Sequence, residues 1–273
     1  MKFIKSKTGG TYYRDADNNC WRVSVYIQGS HTLDIVDAEN AHRCGEAFGE
    51  FESMLADLPI SLGETIPRFH DMELRADQFE EAVRSDRVGR LKDVKMEVDM
   101  IESLTDDMCL AERLHRDGML PKRVCHCDTK VNNMLLDDNN NVLCVIDLDT
   151  VMPSYVFSDY GDFLRTAANT VAEDEPDTSK VDFRQDIFEA FTTGYIRGTR
   201  SFLTDTERDY LHYAVALFPY MQATRFLTDY LNGDVYYKTT YQSHNLDRTR
   251  NQLALLGKVI ERLPQLERFI KSV

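Results

Sequence analysis

Two stretches hold the residue types best suited to chemistry. They are His126-Cys127-Asp128-Thr129-Lys130-Val131-Asn132-Asn133 and, further on, Ile146-Asp147-Leu148-Asp149. Between them run Met134-Leu135-Leu136 and Val142-Leu143-Cys144-Val145-Ile146, separated by Asp137-Asp138-Asn139-Asn140-Asn141. Two apolar runs around an Asp/Asn cluster predict a β-hairpin. With the turn centred on Asn140, Asn133 and Asp147 sit opposite one another and point to one face of the ribbon. Asp128 precedes Asn133 on the incoming loop. An amide oxygen and a carboxylate in one small volume suit Mg²⁺, a hard cation that takes few protein ligands. A further carboxylate beside them can orient a hydroxyl and accept its proton. His126 reads as a packed loop residue rather than a base. Asp137, Asp138, Glu173 and Asp174 read as solvated turn residues.

The elements that must position these groups are mostly helical. Ala41, Cys44, Phe48, Phe51 and Leu55 recur at three and four residues and stop before Pro59, which predicts a helix from about Asp37. Val94, Val98, Ile101, Leu104, Met108, Ala111 and Leu114 form a second stripe, ended by Gly118 and Pro121. Thr204-Asp205-Thr206-Glu207 has the form of a capping box. Pro219 is expected to kink or end the helix around it. A last helix is expected from about Asp247 to Glu261. The first 30 residues differ: Thr11-Tyr12-Tyr13 and Trp21 to Ile27 flank Asp15-Ala16-Asp17-Asn18-Asn19, a second hairpin pattern. The expected fold is therefore α+β, with a small β-rich start and a large helical body that carries the central hairpin.

Composition narrows the function. The 273 residues include 32 basic and 46 acidic side chains, for a formal net charge of −14. That balance argues against nucleic acid and anionic membrane surfaces as partners. No apolar run reaches the length of a membrane span, and no signal-peptide pattern follows Met1. Six cysteines are few for this length and read as reduced thiols of a cytoplasmic protein. Cys125-His126-Cys127 clusters three possible zinc ligands. A second pair with ligand spacing is missing, and in a strand the cysteines would face away from His126, so zinc is not expected.

The pattern His126-x-Asp128-x-x-x-Asn132-Asn133, with Ile146-Asp147-x-Asp149 downstream, resembles the aminoglycoside phosphotransferase and choline kinase branch of the protein-kinase-like fold. Within it, Val145-Ile146-Asp147-Leu148-Asp149-Thr150-Val151-Met152-Pro153, Ala172-Glu173-Asp174-Glu175-Pro176-Asp177 and Arg225-Phe226-Leu227-Thr228-Asp229-Tyr230 resemble the N-acetylhexosamine 1-kinases. The resemblance extends over nearly the whole chain. It implies an ATP- and Mg²⁺-dependent kinase that phosphorylates the anomeric hydroxyl of an N-acetylhexosamine. Asp128 would be the catalytic base. Asn133 and Asp147 would hold the metal, with Asp149 assisting or bracing. Tyr26, Ile27 and Gln28 would form the hinge at adenine. Arg225 and Tyr237 would line the sugar pocket. His126 and Asp162 would support the catalytic loop.

The resemblance also implies a departure. The family opens with a strand, a phosphate loop, a strand bearing a lysine, and a helix, all ahead of the first hairpin here. Residues 1–29 then form a truncated β lobe and hinge, and residues 30–273 the helical lobe. Weakened nucleotide binding is expected, and an exposed β edge suited to homodimer formation. The alternatives are a kinase for an aminoglycoside, choline or homoserine, which an acidic pocket would favour; a remnant that only binds sugar or a partner; and a metal-dependent phosphoesterase using Asp128, Asp147 and Asp149.

Overall fold

The computed structural model describes residues 2–273. The chain begins with four strands of two residues each: β1 (Phe3–Ile4), β2 (Tyr13–Arg14), β3 (Cys20–Trp21) and β4 (Val23–Ser24). β2 pairs with β3 and β1 with β4, both antiparallel, so one ribbon is nested outside the other. The carboxylate of Asp15 draws the tip together, accepting the N–H groups of Asp17 and Asn19 and the indole N–H of Trp21. Val25 to Ile27, expected within the hairpin, lie beyond the last strand.

A bridge between His31 and Leu136 ties this start to the body. There follow α1 (Ala38–Leu55), α2 (Met72–Ser85), α3 (Lys95–Met108) and α4 (Leu110–Arg116). Asp37 and Asp71 cap α1 and α2 by accepting the backbone N–H of Asn40 and Leu74. The stripe from Val94 to Leu114 is two helices rather than one. The hydroxyl of Tyr213 donates to Met108 O at 2.7 Å and accepts the N–H of Ala111 at 3.4 Å. A side chain inserted in the ladder breaks it at Cys109.

The centre holds β5 (Arg123–Cys125), β6 (Met134–Leu136), β7 (Val142–Val145) and β8 (Met152–Ser154), in the antiparallel pairs β5–β8 and β6–β7. Helices complete the chain: α5 (Phe157–Ala167), α6 (Gln185–Thr199), α7 (Asp205–Asp209), α8 (Leu211–Asn232) and α9 (His244–Ser272). The predicted capping box is formed by Thr204 and Glu207. Pro219 does not end its helix. Seventeen of the 22 residues of α8 are buried, and packing on all sides outweighs the missing N–H. Likewise α9 runs past Glu261 and through Pro264, because Leu266 and Ile270 still bury against the core.

α1 and α6 approach closely through interlocked glycines. A Cβ on Gly194 would stand 2.1 Å from His42 O, and one on Gly45 would stand 2.3 Å from Phe191 O. This contact keeps α1 tight against the body, where Phe48 and Phe51 press on the ring of His126 at 5.8 Å each.

Candidate active site

The loop between β5 and β6 carries Asp128. Cys127 just before it has φ +63°, a left-handed conformation unusual outside glycine. It is held there by Asp159 of α5, whose Oδ2 and Oδ1 accept the backbone N–H of His126 and Cys127 at 2.7 Å each. Thr129 Oγ1 donates to Asp159 O at 2.7 Å. Asp162 therefore does not support the loop in the way the sequence suggests. It lies one turn further along α5 and accepts from Arg165 at 3.2 Å, while Arg165 also reaches Glu173 at 2.7 Å. The two acids lie three residues apart on one helix, and only the first accepts backbone N–H groups of the loop. His126 supports the loop through its ring: Nε2 donates to Ile146 O at 2.8 Å, fixing the peptide ahead of Asp147.

The central hairpin is shifted by one residue from the expected register. Asp137 accepts the N–H groups of Asn139 and Asn141, and a bulge follows between Leu135 and Leu136. Met134 faces Val145, and Ile146 N–H donates to Asn133 O at 2.9 Å. Asp147 is thus one residue beyond the partner of Asn133, and its φ of +59° turns the chain out of the ribbon. Two non-glycine left-handed residues, Cys127 and Asp147, flank the proposed chemistry, where stored backbone strain is common.

The donor set suits a hard cation. Asn133 Nδ2 is committed to Asp128, donating to its O at 2.8 Å and to Oδ2 at 3.1 Å. The amide oxygen of Asn133 and the carboxylate of Asp147 have no hydrogen-bond or ion-pair partner among the described residues. Oxygen donors left free in this way fit a divalent cation. Asp149 differs, since its exposed carboxylate is engaged by Arg22 of the β-rich start.

Two cavities open on either side of this segment. One of about 390 Å³ is lined by Asp147, Ile146, Arg22, Tyr26 and Ile27, among others. The hinge candidates Tyr26 and Ile27 thus share a cavity with Asp147, while Gln28 stands outside it. The other, of about 410 Å³, contains Asp128, Asp162, Arg225 and Tyr237. The Arg225 guanidinium lies over Phe69 at 5.0 Å and Tyr237 at 5.6 Å, with one hydrogen bond to Gln222 at 3.2 Å. Asp229 accepts the N–H groups of Val235, Tyr236 and Tyr237 and so fixes the wall that carries both tyrosines.

Sequence reasoning passed over several residues here. Lys130 pairs with Asp128 at 2.9 Å. Burial opposes its charge, but the Asp128 hydrogen bond holds the ammonium above its usual range. Burial pushes the Asp162 carboxyl up, against the pull of Arg165. Burial, then Arg225, holds the His70 imidazole well below its usual value, so it is neutral in this wall. The spacing of Asp162 and Arg165, three apart on a helix, was a readable sign of an ion pair.

A profile of the phosphotransferase enzyme family matches residues 8–202, and the chain belongs to that family. Among solved structures, an aminoglycoside phosphotransferase from Alicyclobacillus acidocaldarius superposes with a TM-score of 0.64 at 13% identity, over 100% of this chain and 78% of that one. A choline kinase from Cryptosporidium parvum superposes with a TM-score of 0.53 at 17% identity, over 96% of this chain and 76% of that one. The shared architecture is the kinase-like aminoglycoside phosphotransferase fold. The chain is thus a phosphotransferase with an alcohol group as acceptor. In general terms the family works with ATP and a divalent metal. No helix among the described residues is long and apolar enough to cross a membrane.

Proposed function

We propose that this chain transfers the γ-phosphoryl group of ATP to the anomeric hydroxyl of an N-acetylhexosamine. The observation that carries this reading is the division of labour around one loop. Asp128 opens into a cavity with Arg225 and Tyr237, and Asp147 into another with Tyr26 and Ile27. Asn133 and Asp147 would hold Mg²⁺, which supplies neutralisation of the nucleotide phosphates. Asp128 accepts the hydroxyl proton as the sugar oxygen bonds to the γ-phosphorus and the bond to the β-phosphate oxygen breaks. The products are sugar 1-phosphate and ADP. Lys130, paired with Asp128, keeps that carboxylate aligned. Most of the acceleration comes from positioning, since phosphoryl transfer leaves little covalent work to the protein.

The charge of the acceptor cavity separates this reading from kinases for cationic acceptors. Five basic side chains line it (Lys130, Arg165, Arg225, Lys238 and Arg248) against three acids (Asp128, Asp162 and Glu173). The cavity is more basic than the chain as a whole, which disfavours aminoglycosides and choline. ADP release measured with N-acetylglucosamine, N-acetylgalactosamine, kanamycin, choline and homoserine tests it, with phosphorus NMR to locate the phosphate. The expected result is the highest kcat/KM for an N-acetylhexosamine; a higher value for choline or kanamycin overturns the sugar reading.

A second reading, sugar binding with little turnover, is favoured by the other cavity. Arg22 is the one cation lining it among the described residues, and Arg22 is already paired with Asp149. Calorimetry with ATP·Mg²⁺ and with N-acetylglucosamine separates the two. Sugar binding without nucleotide binding supports the second.

A further inference from the structure

Beneath the catalytic loop lies a pair of buried acids that the proposed reaction does not use directly. Glu52 of α1 is 1% exposed and Asp159 of α5 is 0% exposed. One carboxylate oxygen of each and the Cys125 sulfur all lie within 4.8 Å of one another. Tyr195 of α6 donates its hydroxyl to both oxygens of Glu52 at 2.9 Å. The other titratable groups around the pair are Cys125, His126 and Cys127 on β5 and its loop. Beyond them is Glu207 of α7, neutralised by Arg123 at 2.9 Å. No lysine or arginine pairs with Glu52 or Asp159 among the described residues.

Two carboxylates this close in a dry site cannot both be charged. Asp159 is the anion, because each of its oxygens accepts a backbone N–H of the loop. Glu52 therefore keeps the proton. Burial first, and the neighbouring Asp159 second, hold its carboxyl well above the usual range.

We propose that Glu52 is a positioning residue for phosphoryl transfer: as a neutral acid it donates a hydrogen bond to Asp159, and Asp159 in turn sets the left-handed Cys127 that aims Asp128. The chain of donors runs from the Tyr195 hydroxyl to Glu52, from Glu52 to Asp159, and meets there the two loop amides. Only the link to Asp128 rests on the kinase reading; the link to the loop does not. When Glu52 loses its proton at high pH, Asp159 faces a like charge and the loop loses its anchor. The sign follows from the raised carboxyl. Above about pH 4.3 an unfolded chain has released this proton and the folded one has not, so stability falls as pH rises toward the folded value.

Glu52→Gln keeps a neutral donor of the same shape, and Glu52→Ala removes it. In Glu52→Gln we expect kcat within about threefold of the parent and an alkaline limb of the kcat profile moved upward, whereas Glu52→Ala loses about tenfold or more in kcat with KM for sugar nearly unchanged. An infrared difference spectrum, parent minus Glu52→Gln at neutral pH, should contain the carbonyl stretch of a protonated carboxylic acid. Taking the difference removes Glu112, a second buried acid pushed up to about 7 by burial. Amide exchange at His126 and Cys127 should be slow in the parent and in Glu52→Gln, and faster in Glu52→Ala. Absence of the acid band overturns the proposal. So does a folded Glu52→Gln variant that exchanges, or turns over, like Glu52→Ala. If no acceptor is phosphorylated at all, the kinase reading fails, while the infrared and exchange results still decide whether Glu52 anchors the loop.

Discussion

The two cavities are built from different material. The cavity beside Asp128 is walled by α5, α8 and the loop after α8, elements whose side chains are largely buried and whose loop backbone is tied down by Asp159 and Asp229. The other side is walled by Phe3 and Ser24 of the two-residue strands β1 and β4, by the segment from Val25 to Ile27 with Tyr26 77% exposed, and by Leu135, Ile146 and Asp147 of the central hairpin. Dense packing gives a defined geometry, whereas short exposed strands give little stability of their own. The contrast teaches where function is most sensitive: small changes on the helical side should be costly, and comparable changes on the β side should be tolerated.

The sharpest way to break that contrast is at the loop itself. Asp128→Asn should lower kcat by about 10²–10⁴-fold, with ATP·Mg²⁺ affinity nearly unchanged by calorimetry. Full turnover would remove Asp128 from the role of base. Next in size is packing. Gly194→Ala puts a Cβ against the α1 backbone, so thermal melting should show a loss of about 1–3 kcal/mol. Tyr13→Ser, on the exposed ribbon, should change stability by no more than about 0.5 kcal/mol. Equal losses at the two positions would show that the ribbon is as tightly integrated as the helices. The smallest effect is expected at Arg22→Ala. Its pair with Asp149 is exposed, with 45% and 70% of the two side chains open to solvent, so KM for ATP should rise by about fivefold at most, and less in high salt.

The difference in legibility follows the same division. Helix α1 was readable because its apolar stripe is a local period, and Pro59, shortly beyond its end at Leu55, is a local signal. The central hairpin was readable for the same reason, from two apolar runs around an Asp/Asn turn. Its register was not, because the bulge and the side-chain bonds of Asp137 decide it. The split at Cys109 came from Tyr213, which lies about a hundred residues away in the chain and leaves no local sign. Glu52 left one: it is a charged residue four positions after Phe48, on the apolar face of α1. Its partners Asp159 and Tyr195 could not be read from that spacing.

Taken alone, the amino-acid order determined the class of fold and singled out the segment proposed to carry the chemistry, because helical periodicity, caps and the Asp-x-x-x-Asn-Asn to Asp-x-Asp spacing act within a few residues. Only the tertiary structure decided which acid of α5 holds the loop, which carboxylate stays free of Arg22, and how basic the cavity beside Asp128 is inside an acidic chain. Each of these depends on charges and donors brought together from distant parts of the chain, where burial strengthens electrostatics that a local pattern does not contain.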